Sequence, residues 1–322
     1  MWTRRAALTA LAGFATIRGA GAQGFPARTV TIVVPYPAGG PVDAVARLIA
    51  QGAAADLGQS IAVDNRSGGA GVIGAVAVAR AEPDGHMLVL GTNQTHATNQ
   101  SLLKNCPYDA VKDFAPVAGL ATIPHVLVAR KSLRADGVAD LVAAAKKMPD
   151  NFYYGSTGVG SASHLAAELF KARAGVDIRH VPFRGAAPLV TEMLAGRIDL
   201  SFATLPSVIA QIEAGELKAL AIASPRRAER LPQVATLAEL GIAGVEADAW
   251  FALFAPARTP PPAIARLHSA VAAALGAPAA RDNLARQGMT LELRPPDAVA
   301  AWLPGEVEKW AAVIKAAGVV VE

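Results

Sequence analysis

Two glycine-rich turns carry the residues whose types and spacing could do chemistry. The first reads Pro35-Tyr36-Pro37-Ala38-Gly39-Gly40-Pro41-Val42-Asp43, and the second Gly155-Ser156-Thr157-Gly158-Val159-Gly160-Ser161-Ala162-Ser163-His164. Each stands where a β-branched or aromatic strand hands over to a helix, so backbone N–H groups and the positive end of a helix dipole are offered together. That arrangement binds anions. Glycine admits a ligand close to the backbone, and in the second turn the hydroxyls of Ser156, Thr157 and Ser161 add further donors. Taken singly, either turn is also an ordinary strand-to-helix connector or a helix cap. Two of them in separate halves of one chain point to a small anionic ligand held between them.

Other chemistries fit less well. Gly69, Gly71 and Gly74 spell G-x-G-x-x-G, but a dinucleotide site also needs an acid at the end of the next strand. Here Glu82 and Asp84 precede the strand at 86–90, so this stretch reads as one more turn with a helix N-terminus. Gly91-Thr92-Asn93-Gln94-Thr95-His96 is a third strand-end loop, either a polar pocket wall or simply a capped turn. The six histidines (His86, His96, His125, His164, His180, His268) lack metal-ligand spacing, and no G-x-S-x-G elbow occurs. No metal or cofactor is expected. A hydrolase would require the fold to bring the single cysteine, Cys106, to a histidine; otherwise that cysteine is a small buried hydrophobe.

The elements that position these turns repeat in a strand–helix rhythm. A strand over 29–34 leads to the first turn and to a helix that Gly58 stops, and a second strand follows at 60–63. Residues 99–122 read as irregular, with Pro107, Tyr108 and Phe114 packing inward. An apolar strand at 126–129 restarts the pattern, with a helix at 137–147, a second helix that the turn at 155–164 opens and that runs to about 173, and strands at 151–154, 178–182, 198–202 and 217–223. A long apolar strand over 248–256 is expected to partner 126–129 as a pair of crossover strands. Helices at 260–275, 278–287 and 297–315 close the chain, the last with Trp302 and Trp310 inside. The expected fold is therefore α/β with two lobes, a hinged clamp in which each lobe is a mostly parallel sheet flanked by helices. Lobe 1 would comprise 23–124 plus 252–322, and lobe 2 residues 125–251.

With 52% hydrophobic and 17% charged residues, the 322-residue chain is rich enough in core to fold and too poor in charge to be disordered. Arg4 and Arg5, the short apolar run at 6–17 and Ala20-Gly21-Ala22 form an export signal of either the general secretory or the twin-arginine type. Cleavage after residue 22 removes Arg4, Arg5 and Arg18 and no acid, so the formal charge falls by three from +4 to +1. The basic balance thus belongs to the leader and argues against a nucleic-acid partner. A soluble periplasmic monomer is expected.

In these motifs the chain resembles the periplasmic substrate-binding proteins of tripartite tricarboxylate transporters, the Bug receptors. The likeness is carried by Pro35 to Asp43 with Ala46-Arg47, and by Asn65-Arg66 ahead of the glycine run. It continues through Tyr154-Gly155-Ser156 to His164, Val181-Pro182-Phe183-Arg184-Gly185, Gly196-Arg197-Ile198-Asp199 and Trp250-Phe251 with Ala255-Pro256. The resemblance implies a class II Venus-flytrap fold, no enzymatic activity, and a small organic carboxylate ligand: a mono-, di- or tricarboxylate, an aromatic acid or an amino acid. The partner it implies is a membrane permease, or else a membrane sensor. The ligand contacts it implies are Tyr36, Ala38, Gly39, Gly40, Asp43, Thr92 and Asn93 from lobe 1. From lobe 2 come Ser156, Thr157, Gly158, Ser161, His164, Phe183, Arg184, Thr204 and Asp248. Within that set, Asp43 is placed to bond back to its own turn, His164 to orient the serine loop, and Arg184 to meet either the ligand or solvent. Ser67, Ala38 and Arg258-Thr259-Pro260 depart from the usual family pattern, and Phe183, Arg184 and Asp248 are where ligand identity is expected to be read.

Overall fold

The computed structural model describes residues 24–149 and 151–319; the export signal lies outside the described residues. Strand β1 (Val30–Val34) is followed by helix α1 (Pro41–Leu57), β2 (Ile61–Asn65), α2 (Val72–Ala79) and β3 (Met87–Thr92). The β-branched runs make β1 a strand buried on both faces, as a parallel sheet covered by helices requires. It pairs in parallel with β2 and β3. Gly58 ends α1 in the left-handed conformation, at φ 69°.

A π-helical turn (Gln94–Thr98) and α3 (Asn99–Leu102) lead to β4 (Phe114–Ile123), a ten-residue strand where the sequence reading placed irregular chain. Pro116, Gly119 and the alanines mask its pattern. Their physical reason is visible in the pairing, which shifts register twice along β10 (Ala249–Pro256). Gly119 also lets the next strand approach: a Cβ there would lie 2.9 Å from that of Arg294.

Pro124 separates β4 from β5 (His125–Arg130), which opens a second sheet. There follow α4 (Val138–Lys147), β6 (Tyr153–Ser156), α5 (Ala162–Ala174), β7 (Arg179–Pro182) and α6 (Ala186–Leu194). Then come β8 (Leu200–Thr204), α7 (Leu205–Glu213) and β9 (Leu217–Ile222). The chain then returns through β10 to the first sheet and finishes with α8 (Pro261–Gly276), α9 (Pro278–Arg286), β11 (Thr290–Arg294) and α10 (Pro296–Ala317).

The sheets are ordered β11-β4-β10-β3-β1-β2 and β7-β6-β8-β5-β9. Both are mixed, since β10 runs antiparallel to β3 and β4, and β5 antiparallel to β8 and β9. One expectation fails here. The strand at 249–256 does not partner 126–129; it lies between β3 and β4, because the chain changes sheets at Pro124 and each crossing strand pairs inside its own sheet.

Three apolar clusters hold the layers together. One packs α1 and α8 on one face of the first sheet, and another packs α6 and α7 on one face of the second. The third runs between the lobes: Trp310 and Ile314 of α10 join Phe254 and Val89 to Leu165 and Phe170 of α5. Helix α10 therefore packs against elements of both sheets' layers.

Candidate functional site

The first turn is built around a buried carboxylate. Gly40 provides no capping side chain for α1, and Pro41 sets the first helical φ. Asp43 takes over. It is 3% exposed and accepts from the Gly39 N–H (2.9 Å), Arg47 Nε (2.8 Å) and Asn65 Nδ2 (3.0 Å). The Arg47 guanidinium, with the Gly39 and Asn65 bonds, holds the Asp43 carboxyl at about 2. Asn65 also donates to the Tyr36 carbonyl at 3.2 Å, so strand β2 fixes both ends of the turn. Asp43 thus bonds back to its own turn, leaving Ala38 and Gly39 exposed at the tip and Gly40 half-buried. Gly39 sits at φ 85°, a conformation that strains residues with a Cβ.

Around this tip the end of β3 supplies polar groups. The Tyr36 hydroxyl lies 2.7 Å from Thr92 Oγ1 and donates toward Gln94 Oε1 at 3.3 Å; burial pushes it up to about 12. Asn93 is committed elsewhere: its Nδ2 donates to the Asp248 carbonyl (3.0 Å) and its Oδ1 accepts from the Trp250 N–H (2.7 Å). It clips β3 to the returning strand. The G-x-G-x-x-G glycines serve contact rather than phosphate. A Cβ on Gly71 would lie 2.5 Å from Thr95 Cγ2, and one on Gly74 2.9 Å from Pro35 Cβ, so α2 nestles against the first turn.

The second turn is wired by hydroxyls. Ser161 caps α5 by accepting from the His164 N–H at 3.3 Å. Ser163 Oγ accepts from the Thr157 N–H (2.9 Å) and lies 3.1 Å from Thr157 Oγ1 and 3.0 Å from Ser161 Oγ. Ser156 is buried, with its Oγ 2.6 Å from His180 Nε2, accepting from the Gly158 N–H at 3.2 Å and donating to the Gly158 carbonyl at 3.0 Å. Its hydroxyl braces the loop, while Thr157, Gly158 and Ser161 are half-buried at the opening.

The remaining candidates divide. Phe183, after β7, is half-buried, with its ring near Gly155 and the Leu189 side chain, and Arg184 beside it is exposed with no ion pair among the described residues. Thr204 ends β8 and caps no amide with its side chain; its Oγ1 donates to Ser207 Oγ at 3.2 Å. Asp248 is turned onto Ser224, and burial pushes its carboxyl up to about 7. It lines a cavity of about 450 Å³ with Trp250, Trp302, Glu292 and Glu306, whose wall holds none of the other candidates. Cys106 accepts from Gln100 Nε2, and burial pushes its thiol up, the opposite of an activated nucleophile.

Strand register fixes the sheet end from which each turn leaves. Thr92 pairs with Phe251, and Ile123 with Ala249, so the carboxyl ends of β1 and β3 open toward the crossing segments. In the second sheet His125 pairs with Thr204, and its Nδ1 meets the Ala247 carbonyl at 2.7 Å, so the carboxyl ends of β6 and β8 open there too. Each turn therefore leaves the end of its sheet at which the chain crosses to the other sheet, the end where ligands of open α/β sheets bind. The supporting residues Asn65, Gln94, Ser163 and His180 were not among the expected contacts. The amide and hydroxyl content of their loops was the available signal; His180 had none, because its partner is set by pairing with Tyr154 on the neighbouring strand.

Residues 45–319 match the family described as tripartite tricarboxylate transporter family receptor. The BugT protein of Bordetella pertussis is 36% identical over 298 residues, covering 92% of this chain and 91% of its own. Among solved structures, Rpa4515 of R. palustris with adipate is 38% identical with a TM-score of 0.80, over 92% of this chain and all of that one. MatC of Rhodopseudomonas palustris with bound malate is 36% identical with a TM-score of 0.76, over 90% of this chain and all of that one.

Proposed function

Because the chain belongs to the tripartite tricarboxylate transporter receptor family, a family of periplasmic solute-binding proteins rather than enzymes, we propose that it closes its lobes on a small organic carboxylate and presents it to membrane permease subunits. The observation that supports this reading is the pair of strand-end turns, one per sheet, each leaving the end of its sheet at which the chain crosses to the other. In the closed form the tip backbone at 38–40 would hold one carboxylate, the Gly39 N–H staying with Asp43, and the loop at 157–161 would hold the same group or a second one through its hydroxyls and the Val159 N–H. Helix N-termini and glycine backbone recognise the charge, and hydroxyls satisfy the remaining lone pairs. Phe183 and Arg184, at the rim of lobe 2, would discriminate among acids. Export through the leader at 1–22 and release as a monomer belong to the same proposal.

Adipate and malate, the ligands of two related structures, are the first acids to test. Thermal denaturation with a panel of dicarboxylates, tricarboxylates, aromatic acids and amino acids should reveal at least one that stabilises the protein. At a hundredfold excess over Kd the gain should be about 2.7 kcal/mol. A panel in which no acid moves the midpoint would overturn the proposal.

A further inference from the structure

Three rings are stacked beneath the serine–glycine loop. Tyr154 on β6 and His180 on β7 are register partners of adjacent parallel strands, so their rings share a face, with centroids 4.8 Å apart at 20°. His164, one turn into α5, lies on His180 at 3.9 Å and 8°. Each imidazole holds a different point of the loop. His180 Nε2 meets Ser156 Oγ, which accepts from the Gly158 N–H, and His164 Nδ1 accepts from the Gly160 N–H at 2.9 Å.

We propose that His164 and His180 are positioning residues for ligand capture, which hold the backbone at 158–160 in its cradle shape, His180 by donating to Ser156 and His164 only while its Nδ1 carries no proton. The inference rests on the reading that this loop is one half of the ligand cleft. The chemistry follows from the bonds. A ring nitrogen that accepts an N–H has no proton of its own, so His164 is the Nε2–H tautomer. Placing a proton on Nδ1 would set donor against donor and expel the Gly160 amide. Nor can two rings 3.9 Å apart carry like charges without strong repulsion.

The charged groups facing the pair are Glu168 and Lys171 of α5. Glu168 accepts from the Tyr154 hydroxyl and from Lys171 Nζ, and Lys171 lies 5.7 Å above the Tyr154 ring. The acid is thus already engaged and the ammonium opposes a second positive charge. Burial and Lys171 draw His164 down to about 4, and burial, the neighbouring imidazole and Lys171 draw His180 down to about 4 as well.

Calorimetry with adipate and malate as probes, on the full mature chain, tests this. His164→Ala and His180→Ala should each weaken binding at pH 7.5 at least tenfold while retaining a cooperative thermal transition. His164→Asn and His180→Gln, whose amides replace the ring nitrogens without titrating, should restore affinity to within about threefold of wild type. Between pH 7.5 and pH 4 the wild-type affinity should fall about twofold more than that of the double amide variant, as one half-titrated site requires. Alanine variants that bind like wild type, or identical pH profiles, would overturn the inference. If wild type binds neither probe nor any other acid, the receptor reading fails, and the loop is judged by the Gly160 amide resonance. That resonance should shift from pH 7.5 to pH 4 in wild type and stay fixed in the double variant; a fixed resonance in both would sink the inference.

Discussion

Replacing Asp43 with alanine is expected to cost about 2–4 kcal/mol of stability and to abolish measurable ligand binding. The carboxylate is the buried acceptor for three donors, and removing it leaves the Gly39 N–H and the Asn65 amide without their partner. The Asn65 amide, half-buried, is left short of a partner at a cost of about 1–3 kcal/mol, whereas the Gly39 N–H at the exposed tip turns to water and releases the turn. The Arg47 side chain is 52% exposed, so its charge can turn to water; this keeps the figure below that for a fully buried ion pair. The loss of function should exceed the loss of stability, because Asp43 shapes the turn that presents Gly39. Asp43→Asn retains one acceptor and should recover part of both. Urea unfolding with calorimetry on the same samples separates the effects, and an alanine variant with native affinity would show that the first turn takes no part in binding.

Acid should unfold this protein well above the carboxylate range. Burial draws His96 down to about 3 and His125 down to about 4, from an ordinary 6.5. As pH falls through 6.5 the unfolded chain binds protons that these folded rings refuse, so stability rises with pH between about 4 and 6.5. It is fully present above 6.5 and lost progressively below it. One pKa unit is worth about 1.4 kcal/mol, which gives roughly 5 kcal/mol from His96 and roughly 3–4 kcal/mol from His125. His164 and His180 act in the same direction. Asp43 adds to the loss only below about 3.8, where its carboxyl begins to differ from that of the unfolded chain. Asp248 opposes the trend: its folded carboxyl, raised to about 7, keeps a proton that the unfolded chain releases above 3.8, so its contribution declines as pH rises. Four imidazoles against one carboxyl leave a net slope toward greater stability at neutral pH. The guanidinium midpoint should fall steadily from pH 7 to pH 4.5, and His125→Asn should flatten that slope by up to one proton. A midpoint independent of pH would refute the buried, neutral state of these rings.

The local rhythm of the chain was legible because its signals are local. Gly58, Gly175 and Gly318 end helices in the left-handed region, and the two glycine turns announce themselves by composition. Strand β4 was hidden because Pro116, Gly119 and three scattered alanines interrupt its β-propensity and alternation; tertiary pairing with β10 makes it a strand. The assignment of β10 to 126–129 failed for a related reason, since apolar runs look alike and register is a long-range property. At the site, residue types identified the backbone cradles but not which side chains were already committed. Asn93 and Ser156 offer amide and hydroxyl groups in the sequence, yet the fold spends them on Trp250, Asp248, His180 and Gly158. Asp248, expected to read the ligand, directs its carboxylate to Ser224 beside a separate cavity.

The central claim is that one acid bridges two backbone cradles, and amide resonances report on it without any mutation. Titrating the deuterated, nitrogen-15-labelled protein with adipate, or with the best acid of the panel, should shift Ala38, Gly39 and Gly40 in lobe 1 together with Thr157 and Gly158 in lobe 2, saturating with a single Kd. Saturable shifts confined to one lobe, or centred on Trp250 and Trp302 around the Asp248 cavity, would contradict it.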